Sequence, residues 1–286
     1  MDGRLVLSSS TGVSSEVAAR AFSQLQNIAG GVDAPITISE MVVKIQFAGD
    51  RVLNADAFSW ASEEQVDANI VLMNQPAPKL FVADMDSTMI GQECIDELAD
   101  YAGVKAQIAE ITEMAMQGKL DFEAALRERV ALLKGLDVAV LQQCYDERIE
   151  PNAGAKELLE RLGHAGIRRV LVSGGFTFFA SKIAEKLGFD YFEANEFNIE
   201  NGKLTGLLNG QIVDRAHKET VLRAECVALG VDADTAIAIG DGANDLDMIN
   251  ASGFGVAYKA KPALEADANI CLRYSHLNAL ADILEI

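Results

Sequence analysis

The sequence predicts an α/β protein: a doubly wound, largely parallel sheet that carries an inserted helical cap and follows a small N-terminal α/β domain. Short apolar segments near Leu80, Arg169 and Ala236 alternate with segments of helical periodicity, the pattern of a parallel sheet covered by helices. Each of these three segments runs into acidic, hydroxyl or glycine residues. The interval between the first two is too long for one crossover helix, which favours an insertion.

The small N-terminal domain is predicted over residues 1–75. Leu5 to Leu7 and Met41 to Phe47 have the character of strands, and Ser14 to Ile28 carries apolar residues at helical spacing. Two prolines, Pro76 and Pro78, then interrupt any regular element and mark a boundary. A structural or dimerising role is one interpretation of this domain, and a homodimer through it is a hypothesis.

Residues 76–286 are predicted to form the larger domain, with the helical cap at about 91–150. The predicted strands lie at Leu80, Arg169, Tyr191, Ala236, Gly255 and Ile270. The predicted helices lie near Lys156–Ala165, Thr177–Leu187, Lys218–Leu229 and Leu277–Leu284. Two Asn-Gly pairs between Glu196 and Gly210 favour a hairpin with tight turns.

Chemically useful residues follow three of the predicted strands. Asp84 and Asp86 come after the first, Ser173 and Gly174 directly after the second, and the segment Gly240 to Asp245 after the third. An open α/β sheet binds ligands outside the carboxyl ends of its strands, so these groups are expected to meet in one site. Lys218, at the start of a helical pattern, adds a positive charge to the same series.

The series Asp-x-Asp-x-Thr, Ser-Gly, Lys, Gly-Asp-Gly-x-x-Asp resembles the four motifs of the haloacid dehalogenase (HAD) superfamily of phosphotransferases. Between the first two motifs, Glu93 and the segments Glu110–Phe122 and Leu126–Val130 resemble the cap of its phosphoserine phosphatases. The resemblance covers Pro78 to Ile286 and implies a HAD-type, Rossmann-like fold. It also implies Mg²⁺-dependent hydrolysis of O-phosphoserine, the last step of serine biosynthesis. Some members carry ACT-like regulatory modules before the catalytic part, a second interpretation of the N-terminal domain.

The resemblance implies a role for each carboxylate. Asp84 would attack phosphorus to form an aspartyl phosphate, while Asp86 would protonate the leaving oxygen and then activate water. Mg²⁺ would be held by carboxylate oxygens of Asp84 and Asp241 and by the backbone carbonyl of Asp86. Asp245 is expected to orient Lys218 or the metal-bound waters from behind.

The same resemblance implies the substrate contacts. Ser173, the Gly174 N–H and Lys218 would hold phosphate oxygens, and Asn244 would contact the phosphate or the rest of the substrate. In the cap, Arg129 would pair with the substrate carboxylate and Glu93 with its ammonium. The apolar wall would come from Met116 and Phe122.

Composition excludes several other classes of function. A net charge of −19 argues against nucleic acid or an anionic membrane as partner, because both select clustered Lys and Arg. The 4 cysteines and 3 histidines are scattered, which argues against a zinc site, a disulfide framework or a Ser-His-Asp triad. The sequence shows no signal-peptide or membrane-spanning pattern, which predicts a cytoplasmic protein.

Two alternatives stay open at this point. One is a related HAD phosphatase, or a phosphotransferase that passes the phosphoryl group of a small phosphoester to an alcohol. The other is a catalytically silent amino-acid sensor, which the presence of Asp84, Asp86, Lys218 and Asp241 disfavours.

Overall fold

The computed structural model describes residues 2–29, 31–48, 55–116 and 119–286, with the side chains of positions 55, 56 and 116 left aside. Two sheets organise the chain, one built from residues before position 73 and the other from residues after position 79. None of the helices within these ranges is long and apolar enough to cross a membrane.

The N-terminal sheet is antiparallel and has the strand order β2-β4-β1-β5, with β3 also paired to β4. Ser14 caps its helix, because the Ser14 hydroxyl accepts a hydrogen bond from the Val17 N–H at 3.2 Å. Apolar residues of the helix, among them Ala21 and Leu25, are buried against the sheet. The elements are β1 Asp2–Ser8, α1 Ser15–Ile28, β2 Gly31–Val32, β3 Ile36–Ser39, β4 Val42–Ala48, a 3₁₀ segment Ala55–Glu64 and β5 Asp67–Leu72.

The second sheet has seven strands in the order β12-β11-β10-β6-β7-β8-β9. All neighbours are parallel except β8 and β9, which form a hairpin. The strands are β6 Leu80–Ala83, β7 Arg168–Phe176, β8 Tyr191–Glu200, β9 Lys203–Asn209, β10 Ala236–Gly240, β11 Phe254–Tyr258 and β12 Ile270–Leu272. The predicted fold class, a doubly wound and largely parallel sheet, is confirmed.

Helices cover this sheet and fill the long interval between β6 and β7. Five of them lie in that interval, and we propose that the first four form the cap: α2 Cys94–Ala102, α3 Lys105–Met116, α4 Phe122–Leu132 and α5 Val138–Arg148. The others are α6 Ala155–His164, α7 Thr177–Leu187, α8 Arg215–Leu229, α9 Leu246–Ala251, α10 Pro262–Glu265 and α11 Ala279–Leu284.

Some predicted boundaries are wrong. Helix α8 begins at Arg215, three residues before Lys218, because the Asp214 carboxylate accepts from the His217 N–H and caps the helix there. Of the two predicted tight turns, only Asn201-Gly202 connects paired strands, with φ +51° and +76°. Asn209 is the last residue of β9, and the next element of the chain is α8. The second Asn-Gly pair therefore does not connect two paired strands.

Two polar side chains of β5 join the sheets. Asp67 is 1% exposed, and its carboxylate accepts from the backbone N–H groups of Arg273, Tyr274 and Ser275 at 2.9–3.1 Å and from the Ser275 hydroxyl at 2.7 Å. The Asn69 amide accepts from the Cys271 N–H at 2.8 Å and donates to its carbonyl at 3.0 Å. The N-terminal sheet therefore satisfies the backbone at and after β12.

Replacing Asp67 by asparagine is expected to destabilise the protein by about 2–3 kcal/mol, because an amide NH₂ cannot accept from the backbone donors that this buried carboxylate now satisfies. The free energy of unfolding, measured by urea titration, checks this. Asp33→Asn, at an exposed position of the same sheet domain, is the matched control and should cost less than about 0.5 kcal/mol. Equal losses in the two variants would contradict the role given to Asp67.

Candidate active site

The floor of the site is a buried pair formed by Asp84 and Lys218. Asp84 directly follows β6 and is 3% exposed, and its Oδ1 accepts from the Met85 N–H at 2.8 Å. The Nζ of Lys218, on the first turns of α8, lies 2.8 Å from the same oxygen. Parallel neighbours β6 and β10 bring this strand end beside the loop after β10.

Asp245 holds Lys218 from the other side. Its Oδ1 lies 2.7 Å from the Lys218 Nζ, and its Oδ2 accepts from the N–H groups of Asp241 and Gly242. Burial lowers the pKa of Lys218, but the charges of Asp245 and Asp84 outweigh this and raise it above its usual value. Lys218 is therefore a fixed positive charge, and Asp245 fixes both the lysine and the loop that carries Asp241.

Three carboxylates converge here and could hold a divalent cation. Asp84, Asp241 and Asp245 each offer an oxygen within 4.8 Å of the others. Burial and then the charge of Asp245 raise the pKa of Asp84 well above its usual value, and the same causes raise that of Asp241 to about 6. Three carboxylates against one ammonium leave an excess of negative charge, and hard oxygen ligands suit a divalent cation that would relieve it. The residues present thus fit such an ion.

Asp86 has a different environment from Asp84. Burial and then the charge of Glu93 raise its pKa to about 8, although hydrogen bonds from the thiol and amide of Cys94 act in the opposite direction. Its Oδ1 is buried and accepts no hydrogen bond from the described residues. The raised pKa favours the protonated form of this carboxyl group at neutral pH, and its Oδ1 is available to a ligand.

Residues Ser173 to Gly175 form the second wall, and β7 continues through them to Phe176 rather than ending before Ser173 as predicted. The Ser173 Oγ accepts from the Gly175 N–H at 2.8 Å, so its own proton can be donated elsewhere. A Cβ at position 175 would lie 2.9 Å from Asp86 Oδ2 and 3.0 Å from Ser173 Oγ. Glycine suits this position because the Asp86 carboxylate and the Ser173 hydroxyl approach the backbone so closely.

A cavity of about 410 Å³ lies between these groups and the proposed cap. It is lined by nine of the predicted site residues: Asp84, Asp86, Glu93, Phe122, Arg129, Ser173, Gly174, Asp241 and Asn244. Lys218 lies behind Asp84 instead of on the wall. The side chain of Met116 lies outside the part that the structure describes.

The cap wall carries the polar side chains expected for substrate selection. Arg129, on α4, is half-buried beside the cavity, and its Nε donates to the Ala125 carbonyl at 3.2 Å. Burial lowers its pKa, opposed by the charges of Asp96, Glu93 and Asp86.

Ser87 holds Glu93 in place, since its hydroxyl donates to Glu93 Oε1 at 2.7 Å. Sequence reasoning gave no role to Ser87 or to six further residues of the cavity wall, which are Ile95, Asp96, Thr112, Leu126, Phe176 and Lys261. Of these residues, only Ser87 could have been predicted to lie at the site, because it directly follows Asp86 in the first motif.

Comparisons with known proteins agree with this geometry. A family model described as haloacid dehalogenase-like hydrolase matches residues 81–250. A phosphoserine phosphatase of Albidiferax ferrireducens is 44% identical over 212 residues, which are 72% of this chain and 90% of that protein.

Two solved structures are also similar. A HAD family hydrolase from Salmonella enterica serovar Typhi has a TM-score of 0.89 at 26% identity and covers 99% of this chain and 98% of its own. A structure named as a phospho-aspartyl intermediate analogue of phosphoserine phosphatase has a TM-score of 0.67 at 39% identity. It covers 72% of this chain and 99% of its own.

Proposed function

Because this chain belongs to the haloacid dehalogenase-like hydrolases, we propose that it hydrolyses O-phosphoserine to serine and phosphate, with Mg²⁺, through an aspartyl phosphate. One observation carries the proposal. A single cavity has the Asp84–Lys218 pair, which is suited to phosphoryl transfer, at its floor. On its wall, Arg129 and Glu93 can bind the carboxylate and the ammonium of an amino acid.

Asp84 is the proposed nucleophile. It lies at the end of β6 with one oxygen fixed by Met85 and Lys218, so its other oxygen can be presented to phosphorus. Lys218 also offers positive charge to the phosphoryl oxygens, and the Ser173 hydroxyl and the Gly174 N–H offer hydrogen bonds to them from the opposite wall. The likeness to a structure named as a phospho-aspartyl intermediate analogue supports the covalent step.

Asp86 is the proposed acid and base. With a pKa of about 8 it carries a proton at neutral pH and can give it to the departing serine oxygen. Once it has lost that proton, it can accept one from the water that attacks the aspartyl phosphate. Lys218 and a bound cation favour the ionised form of Asp84, whereas the charge of Glu93 favours the protonated form of Asp86, so the two carboxylates can take different tasks.

For the cation, we propose Mg²⁺ on carboxylate oxygens of Asp84 and Asp241 and on the Asp86 carbonyl. Both oxygens of Asp245 are already engaged, by Lys218 and by backbone N–H groups, so Asp245 supports the site from behind. When bound, Mg²⁺ supplies positive charge that keeps Asp84 ionised and stabilises the transferring phosphoryl group.

Substrate choice is assigned to the cap. O-phosphoserine offers a carboxylate and an ammonium beyond its phosphate, and Arg129 and Glu93 are their chemical complements on the same wall. Phe122 supplies an apolar surface beside them, and Asn244 a neutral polar contact. Met116 remains in this set as a prediction.

A phosphate-release assay over a panel of phosphorylated metabolites tests the proposal. We expect O-phosphoserine to give the highest kcat/KM, activity to require Mg²⁺, and Ca²⁺ to substitute poorly because its looser coordination misplaces the carboxylate and the phosphate. Magnesium-free enzyme to which Mg²⁺ is restored is the control for irreversible damage. Full activity after exhaustive chelation, or no preference for O-phosphoserine, would refute this assignment.

Adding acceptor alcohols to the same assay separates hydrolysis from phosphoryl transfer. A hydrolase releases one phosphate for each serine formed, whereas a phosphotransferase diverts phosphate to the alcohol.

An ACT-like or dimerising role of residues 1–75, and a cytoplasmic location, remain predictions from the sequence.

A further inference from the structure

A buried asparagine outside the predicted site connects its parts. Asn195 lies on β8, is 1% exposed and makes two hydrogen bonds through its side-chain amide. Its Nδ2 donates to the Gly174 carbonyl at 2.8 Å, and its Oδ1 accepts from the Val213 N–H at 2.9 Å. The orientation of the amide is fixed, because a carbonyl can only accept and a backbone N–H can only donate.

The first of these bonds acts on the phosphate wall. The Gly174 carbonyl and the Gly175 N–H belong to one planar peptide group and point in opposite directions. Asn195 holds the carbonyl end of this group, and the Ser173 hydroxyl oxygen holds the N–H end at 2.8 Å. Rotation of the peptide would therefore break both bonds and turn the Ser173 hydroxyl away from its present direction.

The second bond acts on the support of Lys218. Val213 directly precedes Asp214, whose carboxylate caps α8, and Lys218 lies on the first turns of that helix. One side-chain amide thus links the wall that offers Ser173 and Gly174 to the start of the helix that offers Lys218.

We propose that Asn195 is a positioning residue for phosphoryl transfer, which sets the Ser173–Gly175 segment relative to the start of α8. The proposal deepens the proposed function and rests on it. Asn195 acts on groups that contact the phosphate, so its replacement should lower kcat/KM equally for every phosphoester. A cap residue that binds the amino-acid part would instead affect O-phosphoserine alone.

The test replaces Asn195 by aspartate, which has the same shape and can still accept from Val213 but places an oxygen against the Gly174 carbonyl. At a temperature where the variant is folded, we expect kcat/KM to fall about 10- to 100-fold for O-phosphoserine and by a similar factor for an aryl phosphate. The Kd for inorganic phosphate, measured by calorimetry on the full chain with Mg²⁺, should rise about tenfold.

Asn198→Asp is the matched control. Asn198 lies on the same strand, and within the described part of the chain its side-chain amide bonds only to Asn209 and Thr205 of the hairpin. This variant should stay within about threefold of wild type in all three measurements. If Asn195→Asp does not fold, Asn195→Ala is used instead, since it also removes the bond to Gly174. It should show the same result: similar falls in kcat/KM for both substrates and a higher Kd for phosphate.

A lower melting temperature with unchanged kinetics and unchanged phosphate affinity would overturn the proposal and make Asn195 a purely structural residue. A fall in kcat/KM for O-phosphoserine but not for the aryl phosphate would also overturn it, because Asn195 would then affect substrate selection. If wild type hydrolyses only the aryl phosphate, the proposed substrate fails, but the aryl phosphate and calorimetric measurements still decide the role of Asn195.

Discussion

Replacing Asp84 by asparagine is expected to abolish turnover, with a loss on the order of 10⁴-fold or more, and to abolish covalent phosphorylation. The amide keeps the volume of the carboxylate and can still accept from Met85 and Lys218, so the surrounding structure is preserved. What disappears is a nucleophilic oxygen. Phosphate release and the mass of the protein after brief exposure to O-phosphoserine are the measurements.

The matched control is Asp86→Asn, which removes the acid and base but leaves the nucleophile. It should slow both leaving-group departure and dephosphorylation, by roughly 10²–10⁴-fold, while substrate binding stays largely intact. The mass of each variant also excludes conversion of asparagine back to aspartate. Near-normal turnover in verified Asp84→Asn protein would refute the nucleophile assignment.

Replacing Arg129 by alanine is expected to cost about 2–5 kcal/mol of transition-state stabilisation with O-phosphoserine, because a guanidinium that pairs with a carboxylate in a site closed to water is strongly favoured. Arg129→Lys keeps the charge but loses the planar pair of donors, so it should already weaken use of this substrate substantially. An aryl phosphate lacks the carboxylate, and its kcat/KM should fall much less. The quantity measured is the ratio of the two kcat/KM values.

Arg127 gives a control on the same helix. It is exposed and pairs with Glu123, and Arg127→Ala should leave the ratio unchanged. Glu93→Gln should shift the ratio in the same direction as Arg129→Ala, because it removes the partner of the substrate ammonium. Should the Arg129 and Arg127 variants show the same ratio, the cap does not select the substrate, and the function would reduce to an unspecified HAD phosphatase.

The groups that we propose to react could be predicted from sequence, because each of them lies at the end of a strand. Asp84, Ser173 and Asp241 follow apolar segments that could only be buried strands, and parallel strands bring their carboxyl ends together. Asn195 could not be predicted in this way. It is a polar residue within a strand, and its importance depends on a neighbouring strand and on a loop before α8, which no short-range pattern reports.

Strand β5 escaped sequence analysis for a related reason. Its buried positions alternate as Asp67, Asn69 and Val71, at 1%, 2% and 4% exposure. In an alternating pattern, polar residues are usually assigned to the solvent-facing side of the strand. For β5 this assignment would expose Asp67 and Asn69, which are in fact buried. The polar residues are buried because their partners lie on the second sheet domain, more than 200 residues later in the chain.

The contact between Asn69 and Cys271 also bears on the exposed edge of the second sheet. Strand β12 is the last in its sheet, and an uncovered terminal strand is a template on which another chain can add. Here a side-chain amide occupies the N–H and the carbonyl of Cys271, so the edge is closed without the two sheets merging into one. Removal of residues 1–75 would open that edge to edge-to-edge aggregation, even with every reacting group still in place.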